Sequence, residues 1–277
     1  MSSYLNTFVL PSNETREVDP HKDTPKEAYD LNFMFPVKEL RTDKVLVCPL
    51  IPSLHAQLYF DGTREGDVEA TFQSLRWGPF SSVSQVYTLL EEYRRDASSV
   101  MFAIYDLTRG PEPEFAGVLG FMRADRRTLS LEIGHVVTLS KFRRTHVLSH
   151  ACGLAIAYCL SAPPEGLGLR RVQWTASPRN VSSQKAAIRM GFKYEGIVRG
   201  FYDLPNGKKG NDDQALNSVE KRSRREGLWK MQSLWSEGVE RKDRGIASDC
   251  WLASITTGDW EYGDTKSVVE RQMIRET

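Results

Sequence analysis

Glu132 and His135 are the two side chains in this sequence whose types and spacing best suit proton transfer. Both lie in RTLSLEIGHVVT, residues 127–138, whose β-branched and apolar residues predict a strand. A carboxylate there could accept a proton directly or through a water molecule, and an imidazole has a suitable intrinsic pKa. Each has a structural alternative: a solvated or salt-bridged carboxylate for Glu132, and a packed, hydrogen-bonded histidine for His135.

A second group of polar residues surrounds a short helix predicted at residues 181–190. Asn180 and Ser183 stand at its start, where such side chains accept hydrogen bonds from first-turn N–H groups. Gly191 follows at a position typical of a helix end. Tyr194 comes just after it and could protonate a leaving group, although a packed strand tyrosine is the structural alternative.

The histidines and cysteines do not predict a metal site. His146 and His150 are four residues apart at a predicted helix start, which is a metal-ligand spacing, but no third ligand is near them in the sequence. The four cysteines are widely spread and form no C-x-x-C pair. We interpret them as reduced thiols of an intracellular protein.

The charge balance argues against a nucleic-acid or membrane partner. Lys plus Arg total 37 and Asp plus Glu total 36, so no strong overall field would hold an anionic surface. The first residues lack a basic segment followed by a long apolar run, and no window reaches about 18 consecutive apolar residues. We expect a cytoplasmic protein that binds neither nucleic acid nor membrane.

The elements that would position these residues alternate between strands and helices along the chain. The proline-bearing residues 1–36 predict an irregular arm. After it the pattern predicts a strand, two helices, a meander of strands, a helix at residues 144–160, a strand at 169–176 and the helix at 181–190. This order is typical of an α+β or α/β domain with a mixed sheet.

Residues 180–196, NVSSQKAAIRMGFKYEG, resemble a cofactor-contacting segment of the GNAT superfamily of N-acetyltransferases, in which N-x-x-S precedes a short helix that ends in L-G-F. Upstream, residues 171–174 resemble the fifth strand of that family. Residues 131–135 and 142–145 resemble its fourth strand and its pyrophosphate loop. The nearest likeness is the Rim-type branch, related to ribosomal-protein N-acetyltransferases. The resemblance covers about residues 45–201.

The resemblance implies the GNAT fold, in the α+β (mixed α/β) class. We expect a central, mixed, mostly antiparallel twisted sheet flanked by helices, with the fourth and fifth strands splayed apart. The domain would span residues 37–262, with an insertion at about 203–240, and residues 263–277 would form a C-terminal tail.

The resemblance also implies acetyl-CoA as the acyl donor, with no metal. A helix that begins at a strand end offers unpaired N–H groups to a pyrophosphate. The pantetheine would lie along Val136, Val137 and Thr138, and Asn180 and Ser183 would also contact the cofactor. The residues expected at the pyrophosphate are Arg143, Arg144, Thr145, His146, Val147, Leu148 and Ser149.

Four positions depart from the family pattern. His146 and Leu148 occupy the two small positions of (Q/R)-x-x-G-x-(G/A), and Gln173 and Ser177 stand where relatives often have acidic residues. Two hypotheses follow. The first is direct acyl transfer, with acetyl as the acyl group, to an amine of a small molecule or peptide by a monomer or homodimer. The second is a GNAT scaffold with other chemistry, or one that only binds a small molecule.

Overall fold

The computed structural model describes residues 18–204 and 246–274, and within them eight strands form one sheet. The strands are β1 (Leu40–Arg41), β2 (Val45–Pro49), β3 (Val100–Asp106), β4 (Glu114–Asp125), β5 (Ser130–Thr138), β6 (Arg171–Ala176), β7 (Lys193–Leu204) and β8 (Ile246–Thr256). The helices are α1 (Pro52–Arg64), α2 (Val68–Phe72), α3 (Val83–Arg95), α4 (His146–Leu160), α5 (Val181–Arg189), α6 (Thr257–Glu261) and α7 (Thr265–Ile274). Apart from its first two residues, the insertion predicted at 203–240 lies outside the described residues.

The sheet is mixed and mostly antiparallel. Its strand order is β1-β2-β3-β4-β5-β6-β8-β7, and the pair β5 and β6 is parallel while the other neighbours are antiparallel. Strands β3 and β4 are buried along nearly their whole length, which requires cover on both faces of the sheet. The predicted α+β architecture with flanking helices is confirmed. Because β1 precedes them, the predicted fourth and fifth strands are β5 and β6.

A bulge in β5 separates it from β6. Two residues of β5, His135 and Val136, lie opposite Leu119 alone, and His135 has a left-handed φ of 47°. A bulge bends its strand and increases the local twist. Pairing between β5 and β6 ends at Glu132 and Gln173, although β5 continues for six residues to its end. The predicted splay of these two strands is therefore confirmed.

Helix α4 is the most deeply buried helix among those described. Ten of its 15 residues are buried, including Val147 near its start and Leu160 at its end, and they occupy most of its circumference. A helix that is apolar on all sides needs cover on all sides. The sheet covers part of it, and α7 covers another part. This packing fixes the start of α4 relative to the end of β5.

The residues predicted as a C-terminal tail, 263–277, contain helix α7. Val269 of α7 is buried, and it packs on Gly153 of α4 beside Met273. The absence of a side chain at Gly153 lets the two helices approach closely. The sequence TKSVVERQMI has too few apolar residues at helical spacing to predict this packing. In this respect the structure differs from the prediction, because α7 is packed against the domain.

We expect Gly153→Val to lower the free energy of unfolding by about 1–3 kcal/mol, the usual cost of overpacking a core. A Cβ at Gly153 would overlap the Met273 sulfur and lie 3.3 Å from Val269 Cγ1. Urea unfolding measures the change. Gly110→Val is the matched control, because a Cβ at Gly110 has nothing within 4 Å. Equal stability of the two variants would contradict the close packing of α7 on α4.

Candidate active site

An open cleft lies where β5 and β6 separate. Its volume is about 730 Å³, and its walls run from the start of α4 to the loop between α2 and α3. Ten residues predicted as catalytic or cofactor-binding line it: Glu132, His135, Val136, Val137, Thr138, Arg143, Arg144, Leu148, Asn180 and Ser183. Five others do not: Thr145, His146, Val147, Ser149 and Tyr194. The structure therefore gathers residues that are up to 51 positions apart in the sequence around one cleft.

Of the three predicted catalytic residues, Tyr194 is the one that does not line the cleft. It pairs with Ala253 at the start of β7, which is the outer strand beyond β8. Its side chain stacks on Trp251 with ring centroids 5.6 Å apart, and 54 % of the residue is exposed. The structural alternative, a strand tyrosine packed on its neighbour, describes these contacts.

The His146 side chain is turned away from the cleft. Its Nε2 lies 3.3 Å from the Oδ1 of Asp106 on β3, and its ring packs edge-on against His150. Val147 is buried in the core, whereas Leu148 lines the cleft. Of the two bulky residues in the pyrophosphate-loop pattern, Leu148 is the one whose side chain reaches the cleft.

The start of α4 faces the cleft with a cap and two arginines. The Thr145 hydroxyl accepts a hydrogen bond from the Val147 N–H at 3.3 Å and thereby caps the helix. Arg143 donates to the Thr138 carbonyl at 3.3 Å and to the Thr71 hydroxyl at 2.7 Å. Arg144 has a left-handed φ of 63°. The free N–H groups and positive dipole end of such a helix suit an anionic group.

The edge of β5 beyond Glu132 forms one wall of the cleft. Val136, Val137 and Thr138 line it, and β6 pairs with none of them. Backbone N–H and C=O groups need hydrogen-bond partners, which water or an extended ligand can supply at such an edge. This wall can therefore bind an extended chain that contains amide groups.

Asn180 and Ser183 stand at the start of α5, on the wall that faces β5. Asn180 Oδ1 accepts hydrogen bonds from the Ser183 N–H at 3.1 Å and the Ser182 hydroxyl at 2.9 Å. Trp174 on β6 donates its indole N–H to the Ser183 hydroxyl at 3.0 Å. The capping role is therefore real. Both residues also line the cleft. Their contacts with the cofactor stay a prediction.

Glu132 lies where β5 leaves β6, and only 4 % of the residue is exposed. Its Oε2 accepts from Arg123 Nη1 at 2.5 Å and from the Gln173 amide at 3.2 Å. Its Oε1 accepts from the Thr175 hydroxyl at 2.7 Å. These three donors compensate for the burial of a carboxylate. A carboxylate has about four acceptor positions, so Glu132 can take one further hydrogen bond.

Tyr202 extends this network into the cleft. Its hydroxyl lies 2.6 Å from Thr175 Oγ1, and its ring centroid lies 5.3 Å from the Arg123 guanidinium. Burial, together with the nearby Glu132 carboxylate, raises the pKa of Tyr202 to about 12. The phenol is therefore protonated near neutral pH and can donate a hydrogen bond.

Arg123, Thr175 and Tyr202 are functional candidates that the sequence did not reveal. Thr175 was accessible in principle, since strand alternation places it on the same face as Gln173, next to the cleft. Arg123 has a left-handed φ of 51°, which no pattern in the sequence predicts. Tyr202 comes from a strand two places away from β6 in the sheet.

His135 is packed in an aromatic cluster. Its Nε2 lies 3.0 Å from the Tyr59 hydroxyl and its Nδ1 lies 3.0 Å from the Tyr93 hydroxyl. The Trp77 ring stacks on it with centroids 3.9 Å apart. Burial lowers the pKa of His135 to about 3, which makes the imidazole a weak base near pH 7. These contacts favour the structural alternative for His135.

No group of three metal-ligating side chains occurs in the described part of the chain. No described helix has the length and apolar character needed to cross a bilayer.

His135 should make the protein less stable as the pH falls. From about pH 6.5, its usual pKa, down to about 3, the unfolded chain binds a proton that the folded protein excludes. The free energy of unfolding therefore falls by up to about 1.4 kcal/mol per pH unit through this group. We expect His135→Asn, which tolerates the left-handed φ, to lose this part of the slope.

Urea unfolding at pH 7 and pH 5 measures the difference between wild type and this variant. His55→Gln is measured in the same way and should lose an equal part of the pH slope. Burial lowers the pKa of His55 to about 4, so this imidazole is also neutral in the folded protein at pH 5. An unchanged pH slope in His135→Asn would show that His135 is not held neutral.

Three solved structures show the same fold at low sequence identity. A GNAT N-acetyltransferase from Brucella melitensis has a TM-score of 0.63 and 21 % identity, covering 85 % of each chain. A probable acetyltransferase from Chromobacterium violaceum has a TM-score of 0.60 and 20 % identity, covering 94 % of this chain and 100 % of that one. RimJ of Mycobacterium smegmatis, in complex with CoA-disulfide, has a TM-score of 0.54 and 17 % identity, covering 84 % and 93 %.

These structural likenesses show the fold, and the family of the chain is assigned by a family model. The comparison with curated proteins found no match. The model of the acetyltransferase (GNAT) domain matches residues 54–193, about half of the chain. This range includes β5, α4, β6 and α5, and among the described residues that line the cleft only Tyr202 and Ser248 lie outside it. The chain therefore belongs to the acetyltransferase (GNAT) domain family and is an enzyme of the N-acetyltransferase class.

Proposed function

We propose that this enzyme transfers the acetyl group of acetyl-CoA directly to a primary amine of a small molecule or peptide, within a ternary complex. The observation that supports this most is the open edge of β5. It lies between the capped start of α4 and the buried Glu132, so a donor and an acceptor can meet at one strand.

The donor half of the cleft matches the chemistry of CoA. The start of α4, with Arg143 and Arg144, offers N–H groups and positive charge for a pyrophosphate. The edge formed by Val136, Val137 and Thr138 offers main-chain groups for the amides of a pantetheine. Main-chain N–H groups near Val136 and Val137 would also stabilise the oxyanion that develops on the thioester carbonyl.

Glu132 is the residue that we assign to the amine proton. An amine is protonated at neutral pH, so one proton must leave before nitrogen attacks. The remaining acceptor position of Glu132 would take it, directly or through a water molecule. As the C–N bond forms and the C–S bond breaks, the second proton of the nitrogen passes, directly or through a water molecule, to the departing sulfur, so that CoA leaves as its thiol. The low pKa of His135 and the exposed position of Tyr194 make them weaker candidates for proton transfer.

The positions of the two bulky side chains in the pyrophosphate loop give little support to the alternative of a repurposed scaffold. The side chain of His146 faces Asp106, so Leu148 is the bulky residue that a phosphate would meet. Leu148 can change rotamer, and its backbone N–H belongs to the first turn of α4. The Rim-type branch, the peptide or small-molecule nature of the acceptor, the monomeric or dimeric state and the cytoplasmic location stay predictions.

Leu148→Trp should weaken acetyl-CoA binding at least tenfold, or about 1.4 kcal/mol, because the indole would fill the space before the helix start. Isothermal titration with acetyl-CoA and desulfo-CoA measures the change. Leu54→Trp is the matched control, since Leu54 is 52 % exposed on α1 and does not line the cleft. Micromolar binding that both variants retain would place the cofactor elsewhere. No binding to wild type would refute the proposed function.

Glu132→Gln should lower kcat by about 10²–10⁴ while acetyl-CoA affinity stays within twofold, because the amide keeps the shape but accepts no proton. Thiol release with a primary-amine acceptor measures the rate. Glu195→Gln is the matched control: Glu195 pairs with Arg171 at 2.6 Å and does not line the cleft. A kcat within twofold of wild type in Glu132→Gln would remove Glu132 from the mechanism.

A further inference from the structure

Two guanidinium groups surround the ring of Tyr202 near Glu132, in the part of the cleft that would hold the acceptor amine. The Arg76 Cζ lies 4.9 Å from the ring centroid, and the Arg123 Cζ lies 5.3 Å from it. Arg76 belongs to the loop between α2 and α3, and Arg123 belongs to β4. Both residues line the cleft, so their charges face the space that an acceptor would occupy.

The two arginines differ in their counter-charges. Arg123 forms an ion pair with Glu132 at 2.5 Å. Arg76 is exposed and forms no ion pair with any residue in ranges 18–204 and 246–274. Its described contact is the face of the Tyr202 ring. An arginine that stacks on the face of an aromatic ring keeps its N–H groups available. They can donate hydrogen bonds to a planar anion that binds next to the ring.

Among the described residues that line the cleft, positive charges outnumber negative ones. The arginines that line it are Arg76, Arg123, Arg143, Arg144 and Arg189, and the carboxylates that line it are Asp96 and Glu132. Asp96 accepts hydrogen bonds from Ser98 and Ser99 at 2.7–2.9 Å. The phosphates of a CoA donor would neutralise charge at the α4 end. Arg143 contacts Thr138 at that end of β5, whereas Arg76 is linked through Tyr202 and Thr175 to Glu132, six residues earlier on the strand.

We propose that Arg76 binds a carboxylate or phosphate group of the acceptor, so that the preferred acceptors are amines that also have an anionic group. This inference rests on the proposed acetyl transfer. One tyrosine ring and the Thr175 hydroxyl link Arg76 to Glu132, since the Tyr202 hydroxyl lies 2.6 Å from Thr175 and Thr175 donates to Glu132 at 2.7 Å. A small molecule can span this separation, with its amine at Glu132 and its anion at Arg76.

Matched acceptor pairs test the proposal. 6-Aminohexanoate with 6-aminohexanamide isolates a carboxylate, and 5-aminopentyl phosphate with 5-aminopentanol isolates a phosphate; both chains are long enough to reach from Glu132 past Thr175 and the Tyr202 ring. Each pair is assayed for thiol release with wild type, Arg76→Gln, Arg76→Lys and the control Arg127→Gln. The Arg127 side chain is 93 % exposed on the turn between β4 and β5 and does not line the cleft. The effect of each substitution is compared within a pair, so intrinsic differences in amine reactivity cancel.

We expect Arg76→Gln to raise KM for the anionic member of at least one pair tenfold or more, with kcat within threefold and the neutral member changed less than twofold. Arg76→Lys should lie between Arg76→Gln and wild type, because it keeps the charge without the planar fork. The pair that responds identifies carboxylate or phosphate as the recognised group. Arg127→Gln should match wild type.

The inference is overturned if wild type acetylates the neutral members as efficiently as the anionic ones, or if Arg76→Gln affects both members of each pair equally. It is also overturned if the protein binds acetyl-CoA but turns over no member of the panel. Those results leave the proposed acetyl transfer intact. Failure to bind acetyl-CoA at all would refute the proposed function itself, so the two failures are distinguishable.

Discussion

The end of hydrogen bonding between β5 and β6 is the constraint on which the site depends. A strand edge inside a domain normally pairs with another strand, because unpaired backbone groups are costly once they leave water. Here the bulge at His135 and Val136 bends β5 away after Glu132, and the cleft keeps that edge accessible. The aromatic cluster around His135 holds the bulge in place. Chemistry in the cleft and packing beneath it are therefore fixed by the same residues.

The buried carboxylate of Glu132 has a second structural consequence. Its charge must be compensated, and three donors from β4 and β6 do this. The same donors fix the direction in which its remaining acceptor position points. Position, more than intrinsic basicity, then determines what Glu132 can do. Gln173, which stands where relatives often have an acidic residue, is one of these donors, so this departure from the family pattern is part of the network.

The sequence revealed those parts of the site that depend on local spacing. The start of α4, the cap of α5 and the strand that contains Glu132 are each encoded within a few consecutive residues, and ten of the predicted site residues line the cleft. Arg76, Arg123 and Tyr202 are brought to it by separate elements, and one of them depends on a left-handed backbone. Helix α7 was missed for a similar reason, since its packing depends on the absent side chain of Gly153 in a distant helix.

The charges of the cleft also bear on how much work proton removal requires. Positive groups close to an amine disfavour its ammonium form and so lower its pKa. Five arginines and two carboxylates are among the described residues that line the cleft, and one of those carboxylates already pairs with Arg123. An acceptor with its own anion would neutralise Arg76 and enter more readily, while its amine would still lie near the Arg123 charge. The Glu132 carboxylate beside the amine acts in the opposite direction, so the ion pair of Arg123 with Glu132 has little net effect on the amine, and removal of the proton depends on where Glu132 is held.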